Sequence, residues 1–547
     1  MLKDGVFERV TDLIDKGIIK EVGPWKEHAH LFSKEQDKGN EHLVLPWQIV
    51  LDDKKISKHS KIRMCLDAGE TNKLIYKVDA QMPELVEMLI RWRTAKYWAT
   101  LDIKQMYWSI LTSEADANMQ HCIFRFEQDG VLMLYKMVRM VMGLSNSPGI
   151  SRLVLKQLSE TYEKDYPLVS PIIDDDTYMD DSTALGETES EVSEKCGQLI
   201  HCLKEGSFEA SKALSDNKNI LENLPNEVIH PSLIEQMNEG DQQEFQHKKA
   251  DIAQIEHPVY KEVVLGDAKA LGLHFKINLK EQRSFLTYEH WKLEPIKGGL
   301  SKRHVARMFA RCWNPLQEMA QVTNPAKVCL SKLWNLQKLL QTRMIQCRYD
   351  LKEKKNYRLL QLRKDQGLPT NWHEMQKNWP KIDWDTKIFV NQKIDLNLDQ
   401  LPEMEKLEAT KLLHEILNDW QLFERNITDV VHRIVPRCNY TEEKHTTPNI
   451  KEKLLCTMSD ASGGDKFGLL GAVAYLRIEY MDNSFIWQNL ASMCKVAPAN
   501  MTIVVRELRA LLLSIKLAEK CQKALRFDPK NIHHYVDNTV IIDMLSK

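Results

Sequence analysis

The sequence of 547 residues lacks any long apolar run and any cysteine pattern that would frame a metal site. A membrane-spanning helix needs about 20 consecutive apolar residues, so we predict no membrane partner. The 11 cysteines are scattered singly, without a C-x-x-C pair. This spacing excludes the usual zinc-binding patterns and favours a reducing, intracellular compartment. We therefore predict a cytoplasmic protein.

A strong net charge is also missing. The formal charge is -2, which by itself indicates no nucleic-acid partner. Residues 276–365, however, carry 20 Lys/Arg against 7 Asp/Glu and include Trp291, Trp313 and Trp334. Basic segments interleaved with aromatics are typical of surfaces that bind phosphate. A solvated helical face packed over buried tryptophans explains the same pattern equally well, and both interpretations stay open here.

The pattern of apolar residues changes along the chain, as expected for several domains in a chain of this length. Residues 1–20 have the spacing of an amphipathic helix rather than a signal peptide. Strand-like segments over 41–141 are followed by helical patterns near 143–165 and 187–206, and helical periodicity dominates from about 299 to 435. From 451 onward, strands alternate with an amphipathic helix, which is typical of a separate α/β domain.

Three aspartates stand where a metal site requires them. Asp102 ends an apolar strand, and Asp180 and Asp181 lie in a tight turn, YMDD. Transfer of a nucleotide to a hydroxyl needs two divalent metals held by carboxylates from separate segments. Paired aspartates are also ordinary turn formers. The pair alone is therefore a weak signal, and its strength depends on the ordered motifs around it.

Those motifs resemble, in order, the motifs of reverse transcriptases. RMCLD, LDIKQMY, MGLSNSP, YMDD, FEASKALSDNK and LGLHF (271–275) resemble successive fingers, palm and primer-grip motifs. The resemblance implies that Asp102, Asp180 and Asp181 are catalytic and hold two Mg²⁺ ions, for which Mn²⁺ can substitute. It implies deoxynucleotide-binding roles for Arg63, Tyr107, Gly143 and Lys212. In this assignment, Tyr107 screens against a ribose 2′-hydroxyl and Lys212 lies near the pyrophosphate.

Within that family, VLPWQIV and SKRHVARMFARCWNPL resemble Pao/BEL-type long-terminal-repeat retrotransposons. The implied fold is an α+β right-hand polymerase followed by a partial α/β RNase H-like domain. The expected domains are an N-terminal helical segment (1–24), fingers and palm (25–280), a helical thumb or connection (281–450) and the RNase H-like domain (451–547). The implied partners are RNA template, DNA primer, RNA–DNA hybrid and dNTPs. The expected location is the cytoplasm, where the protein can also reside in virus-like particles.

The C-terminal segment carries a second set of acids. Asp460, Glu507 and Asp537 follow or lie on a strand, a helix and a strand, and their local sequences resemble those of RNase H-like domains. RNase H chemistry also uses two metals, which activate water. That family carries a further acid beyond the position where this sequence stops. We therefore expect a domain truncated at its C-terminus and leave its nuclease activity open.

Other activities are disfavoured. The sequence has no D-T-G or D-S-G, so we predict no protease, and no residual acid or His/Cys set indicates an integrase. Gln105, Met142 and Ser182-Thr183 depart from common family residues, but none removes a metal ligand. The alternative to an enzyme is an inactive or host-adopted retroelement fragment that binds nucleic acid without catalysis.

Overall fold

The computed structural model describes residues 2–32, 42–51, 62–76, 78, 81–125, 130–238, 266–293, 299–353, 361, 363–368, 374, 376–377, 379–390, 393–399, 401, 403–438, 449–463, 468–497 and 501–546. The chain folds as two units. Unit 1 comprises Met1–Glu84 and Tyr97–Gly240, and unit 2 comprises Leu85–Lys96 and Asp241–Lys547. Within the described ranges, no helix combines the length and apolar character needed to cross a bilayer.

The helices in chain order are α1 (Leu2–Asp15), α2 (Trp25–His28), α3 (Leu85–Thr94), α4 (Met106–Ser109), α5 (Glu114–Asn118), α6 (Ser147–Thr161), α7 (Val169–Asp176), α8 (Glu189–Glu205), α9 (Lys218–Glu222), α10 (Pro231–Asn238), α11 (Lys302–Arg311), α12 (Ala320–Glu353), α13 (Glu403–Val430), α14 (Ile503–Leu525) and α15 (Thr539–Leu545).

The strands in chain order are β1 (Ile19–Pro24), β2 (Trp47–Leu51), β3 (Ile62–Leu66), β4 (Tyr97–Ile103), β5 (His121–Phe124), β6 (Met133–Met137), β7 (Thr177–Tyr178), β8 (Asp181–Gly186), β9 (Ala210–Leu214), β10 (Gly266–Ala270), β11 (Leu273–Asn278), β12 (Arg283–Thr287), β13 (Phe389–Val390), β14 (Lys393–Ile394), β15 (Ile434–Pro436), β16 (Ile450–Ala461), β17 (Leu469–Tyr480), β18 (Phe485–Val496) and β19 (Ile532–Val536).

The N-terminal helix of unit 1 is shorter than its apolar pattern predicts. It ends at Asp15, because Gly17 adopts a φ of +62°, which terminates a right-handed helix. The following apolar residues then form β1 instead, in an antiparallel sheet of order β1-β6-β5. Val10 and Leu13 of the helix pack with Ile19 and Met137 of that sheet in one buried cluster. The predicted helical segment over 1–24 is therefore a helix followed by a strand.

A second sheet of unit 1, of order β7-β8-β4-β9, carries the central acidic motifs. Its strands are antiparallel. Four consecutive residues of β4, Trp98 to Leu101, are buried, as expected for a central strand covered on both faces. Helices α7 and α8 pack on β8, and α8 also packs on β4. This packing makes the end of β4 a rigid base for charged side chains.

The first part of unit 2 combines a sheet of order β10-β11-β12-β15 with long helices. Helices α12 and α13 pack along each other, and Lys332 joins them through an ion pair with Asp419 at 2.8 Å. Arg437 donates hydrogen bonds to the carbonyls of Trp92 and Ala95. These bonds explain why α3, an early part of the chain, belongs to unit 2.

The last part of unit 2 is a sheet of order β18-β17-β16-β19. Strands β16 and β19 are parallel, whereas the other pairs are antiparallel. The side chains of β17 are buried at every second position, as expected for a strand with one covered face. Helix α14 packs on β16 and β17 and covers that face. The predicted α/β character of 451–547 is confirmed here, while the exact domain boundaries stay a prediction.

Candidate functional site

Asp102 and Asp181 are neighbours on adjacent strands. They are register partners in the antiparallel β4–β8 pair, although 79 positions separate them in the sequence. Asp102 is partly exposed between the buried Leu101 and Ile103. This alternation follows from the period of two in a strand. The sheet therefore brings two of the three predicted palm aspartates to one place.

Asp180 belongs to the two-residue turn between β7 and β8. Its neighbour in the turn, Met179, has a φ of +55°, as tight two-residue hairpins require positive φ values. The backbone carbonyl of Asp180 accepts a hydrogen bond from the Ile103 amide at 2.7 Å. This bond holds the turn against the end of β4, next to Asp102.

The charges around Asp102 are partly compensated by a lysine. Lys212 Nζ lies 2.7 Å from Asp102 Oδ2, and Ser211 Oγ donates to the same oxygen at 3.1 Å. Desolvation raises the pKa of Asp180, and the negative charge on Asp102 raises it further, while Lys212 acts in the opposite direction. The sequence predicted Lys212 near a pyrophosphate. Its position against Asp102 places a cation in the middle of the acidic site.

The palm aspartates fit a divalent metal by their chemistry. They are oxygen donors from separate segments, the ligand type that Mg²⁺ prefers, and Asp102 already pairs with a cationic group. Among the described residues, the C-terminal acids have one oxygen each within 4.8 Å of one another. The carboxylate oxygens of the three palm aspartates are spaced more widely than this. A metal at Asp102 Oδ2 therefore requires the Lys212 ammonium to move.

Tyr107 lies beside the aspartate turn. It is the second residue of α4, a short helix that starts after Gln105, whose φ is +51°. The Tyr107 hydroxyl contacts Met179 Sδ at 3.9 Å. Burial raises the pKa of Tyr107, and the nearby Asp180 raises it further. The aromatic ring therefore lies next to the aspartate turn.

Gly143 occupies a backbone conformation that other residues rarely adopt. Its φ is +104°, and an added Cβ would lie 3.3 Å from the carbonyl oxygen of Leu66. The Asn72 side chain bridges this loop, donating to the Gly143 carbonyl at 2.8 Å and accepting from the Ser145 amide at 2.7 Å. Sequence reasoning missed Asn72, since no local signal connects it to a loop 71 positions away.

Two other predicted features are described only in part. Arg63 lies in β3, paired with Val50 of β2, but its side chain lies outside the described part of the chain. LGLHF (271–275) forms the tip and second strand of the β10–β11 hairpin, with positive φ at Leu271 and Gly272. The role of this hairpin at a primer stays a prediction.

The basic segment contains both kinds of tryptophan that its pattern allows. Trp291 is fully buried, whereas Trp313 and Trp334 are about half exposed. Lys302 Nζ lies 4.1 Å from the centre of the Trp334 ring, a cation–π distance. Lys302 is itself buried, so part of the segment is core, and part presents two half-exposed tryptophans to solvent.

The C-terminal acids converge closely. One oxygen each of Asp460, Glu507 and Asp537 lie within 4.8 Å of one another. Asp460 is the penultimate residue of β16, Glu507 lies on α14, and Asp537 directly follows β19. The parallel pairing of Ser459 with Val536 aligns the two strand ends. The fold thus assembles the three acids that the sequence selected.

Glu507 shows the cost of this arrangement. Burial raises its pKa, and the charges of Asp460 and Asp537 raise it further. Its Oε2 is buried without a hydrogen-bond partner in the described residues. A buried carboxylate oxygen without a partner is unfavourable, and a cation would satisfy it. The donor set therefore fits a divalent metal.

We expect Glu507→Gln to raise the melting temperature and to weaken metal binding. A carboxylate whose pKa is raised in the folded state stabilises the fold only at low pH, and this contribution is lost as pH rises through the folded pKa. Removing its charge at pH 7 should raise the melting temperature by roughly 2–4 °C. Mn²⁺ affinity, measured by electron paramagnetic resonance with Asp180 and Asp181 both changed to Asn, should fall about 10-fold or more.

Glu519→Gln is the matched control for this substitution, because Glu519 is an exposed residue of the same helix. It should change neither quantity. Unaltered Mn²⁺ binding together with a lower melting temperature in Glu507→Gln would show that the three acids form no metal site.

Two segments of the chain match protein-family models. Residues 53–215 match "Reverse transcriptase (RNA-dependent DNA polymerase)". Residues 386–538 match "Pao retrotransposon-like RNaseH-like domain". The first segment includes Asp102, Asp180 and Asp181, and the second includes Asp460, Glu507 and Asp537. No curated protein matches the chain.

Similar solved structures include three of a foamy viral protease-reverse transcriptase. One, in complex with RNA/DNA hybrid, is 14% identical over 98% of this chain and 48% of that chain, with a TM-score of 0.46. A dRH form in complex with ds DNA is 14% identical over 96% and 68%, with a TM-score of 0.43. A third, in complex with dsDNA, is 15% identical over 98% and 83%, with a TM-score of 0.45. The chain spans about half the length of the first of these proteins.

Proposed function

We propose that this chain, the reverse transcriptase region of a Pao/BEL-type retrotransposon, is an RNA-directed DNA polymerase. The two matched segments confirm the predicted family resemblance and the predicted fold class, a mixed α+β polymerase domain followed by an RNase H-like domain. The observation that carries the activity is the pairing of Asp102 with Asp181 beside the Asp180 turn, inside the matched polymerase segment.

In the proposed reaction, the chain adds dNTPs to a DNA primer on an RNA template. Asp102, Asp180 and Asp181 would hold Mg²⁺, which when bound activates the primer hydroxyl and neutralises the triphosphate. Lys212, which pairs with Asp102 in the structure, would leave this aspartate when the metal binds and would neutralise phosphate charge. Tyr107 limits the sugar that fits, and Gly143 lets the nucleotide approach the backbone closely. Arg63 is the proposed contact for the triphosphate.

The test is DNA synthesis by the purified chain on poly(rA) primed with oligo(dT), in the presence of Mg²⁺ and dTTP. We expect incorporation that requires the primer and the template. Asp102→Asn should abolish it, whereas Asp165→Asn, a change to an exposed residue in a turn between helices, should not. Salt-dependent binding of the primed template without any incorporation would contradict the proposal and favour a binding fragment instead.

A second candidate activity is hydrolysis of RNA within an RNA–DNA hybrid. It is favoured by the convergence of Asp460, Glu507 and Asp537 and by the unpartnered Glu507 oxygen. Metal ions held by these acids would activate water for attack on the RNA phosphodiester. Cleavage of a labelled RNA strand in a hybrid, lost in Glu507→Gln and kept in Glu519→Gln, would support it. Absence of cleavage in the unaltered chain would exclude it for this chain.

A further inference from the structure

Two buried hydroxyl groups lie at the base of the β7–β8 hairpin that carries the aspartate turn. Thr177 and Ser182 are register partners in the β7–β8 hairpin, and both are at most 1% exposed. Their hydroxyl oxygens lie 3.0 Å apart, and Thr177 Oγ1 also lies 3.0 Å from the carbonyl oxygen of Ile172. A carbonyl can only accept, so Thr177 donates to Ile172 and Ser182 donates to Thr177. The result is two consecutive hydrogen bonds, from Ser182 to Thr177 and from Thr177 to Ile172.

A separate set of hydrogen bonds holds the end of α7. The last four carbonyls of a helix have no partner within the helix. Arg152, a buried residue of α6, donates to two of them, those of Ile173 and Asp174. It also forms an ion pair with the Asp174 carboxylate at 3.2 Å. The end of α7, directly before the hairpin, is therefore tied to α6 by side-chain hydrogen bonds.

The hairpin has reason to need such support. Strand β7 has two residues, and an isolated two-stranded hairpin is marginal at best. Met179, at its tip, has a positive φ, a conformation unfavourable for a residue with a side chain. A strained turn keeps its conformation only where the surrounding structure enforces it. The hydroxyl pair and Arg152 provide that constraint at the base of the hairpin, and the Ile103–Asp180 hydrogen bond provides it at the turn.

We propose that Arg152, Thr177 and Ser182 form a polar latch that positions Asp180 and Asp181 for metal binding. These three are positioning residues, because they act through the hairpin and not on a substrate. The inference rests on the proposed function only in that the aspartates are metal ligands. It gives a role to the buried hydroxyl of Ser182.

A matched control lies one residue further along β8. Thr183 is also fully buried on the same hairpin, but its hydroxyl has no hydrogen-bond partner in the described residues. Thr177→Val and Thr183→Val therefore make the same chemical change a few residues apart. The first removes the latch, and the second removes a hydroxyl for which the described part of the chain offers no hydrogen-bond partner. Thr177→Ser keeps the latch hydroxyl and serves as the rescue variant.

The measured quantity is Mn²⁺ affinity by electron paramagnetic resonance. All variants carry Asp460→Asn, which removes one of the C-terminal acids, and the additional double change of Asp180 and Asp181 to Asn defines the signal that does not come from the palm. We expect Thr177→Val to weaken palm Mn²⁺ binding about 10-fold and to speed amide exchange at Asp180 and Asp181. Thr183→Val and Thr177→Ser should stay within about 2-fold of the parent. Ser182→Ala is a smaller change, for use if Thr177→Val fails to fold.

Equal Mn²⁺ affinity in Thr177→Val and Thr183→Val, with both folded, would overturn the latch. If Thr177→Val does not fold, Mn²⁺ binding by Ser182→Ala as tight as that of the parent would also overturn the latch. This readout does not depend on DNA synthesis. A chain that makes no DNA but loses Mn²⁺ in Thr177→Val would contradict the proposed polymerase and leave the latch supported. DNA synthesis by the parent, together with equal Mn²⁺ affinity in Thr177→Val and Thr183→Val, would support the proposed polymerase and contradict the latch.

Discussion

Changing Asp180 and Asp181 together to asparagine is expected to abolish DNA synthesis while the fold persists. Metals held by carboxylates supply several kcal/mol of transition-state stabilisation, and about 4 kcal/mol corresponds to roughly 1,000-fold in rate. Asparagine matches aspartate in size but lacks the negative charge that attracts a divalent cation. Primer extension on an RNA template should therefore fall by about 1,000-fold or more.

Stability should change in the opposite direction, if at all. The pKa of Asp180 is raised by desolvation and by the charge on Asp102, so its ionised form disfavours folding at neutral pH. Removing that charge should leave the melting temperature unchanged or slightly higher. Primer extension and thermal melting on the same preparation, with Asp165→Asn as control, separate the two effects. Synthesis at the unaltered rate by a double variant that melts normally would refute the assignment of both aspartates.

The second large effect is expected at Tyr107, in the choice between deoxyribonucleotides and ribonucleotides. The ring lies on α4 next to Met179, beside the aspartates that we propose as metal ligands. A rigid ring excludes a 2′-hydroxyl by shape, and steric discrimination of one small group is worth about 10- to 200-fold. Tyr107→Val opens this space, so the preference for dTTP over UTP on poly(rA) should fall by about 10- to 100-fold.

Tyr107→Phe is the matched control. It keeps the ring and removes only the hydroxyl that contacts Met179 Sδ at 3.9 Å. We expect discrimination to be retained in this variant, because shape rather than the weak hydroxyl–sulfur contact excludes the ribose. The ratio of kcat/KM for the two nucleotides is the measurement. An equal loss of discrimination in Tyr107→Phe and Tyr107→Val would assign nucleotide selection to the hydroxyl and contradict a steric role.

Local patterns were sufficient wherever one segment carries its own signal. The apolar run before Asp102 predicted a buried strand, and β4 is that strand. Pro148 is typical of the first turn of a helix, and α6 begins at Ser147. In the C-terminal segment, strand and helix periodicities predicted β16 and α14. Each depends on periodicity or on a residue with restricted backbone angles, which act within a few residues.

Patterns failed where a backbone conformation competes with apolar spacing. The predicted N-terminal helix continued into the residues of β1 because Ile18 and Ile19 fit a helical stripe. Gly17 at positive φ ends the helix, and pairing with β6 then buries Ile19 as a strand residue. Strand pairing with a distant segment cannot be read from the residues on one side of the pair alone.

The sequence alone determined which residues carry charge and which segments can be strands or helices. It therefore selected all six acids, three in the palm and three in the C-terminal segment. Only the tertiary structure decided that Asp102 pairs with Lys212, that Asn72 bridges the Gly143 loop, and that Thr177 and Ser182 share a hydrogen bond. Contacts of this kind depend on distances of a few ångströms between side chains. Two of these pairs join residues more than 70 positions apart, brought together only by folding, and the third exists because of the register of one hairpin.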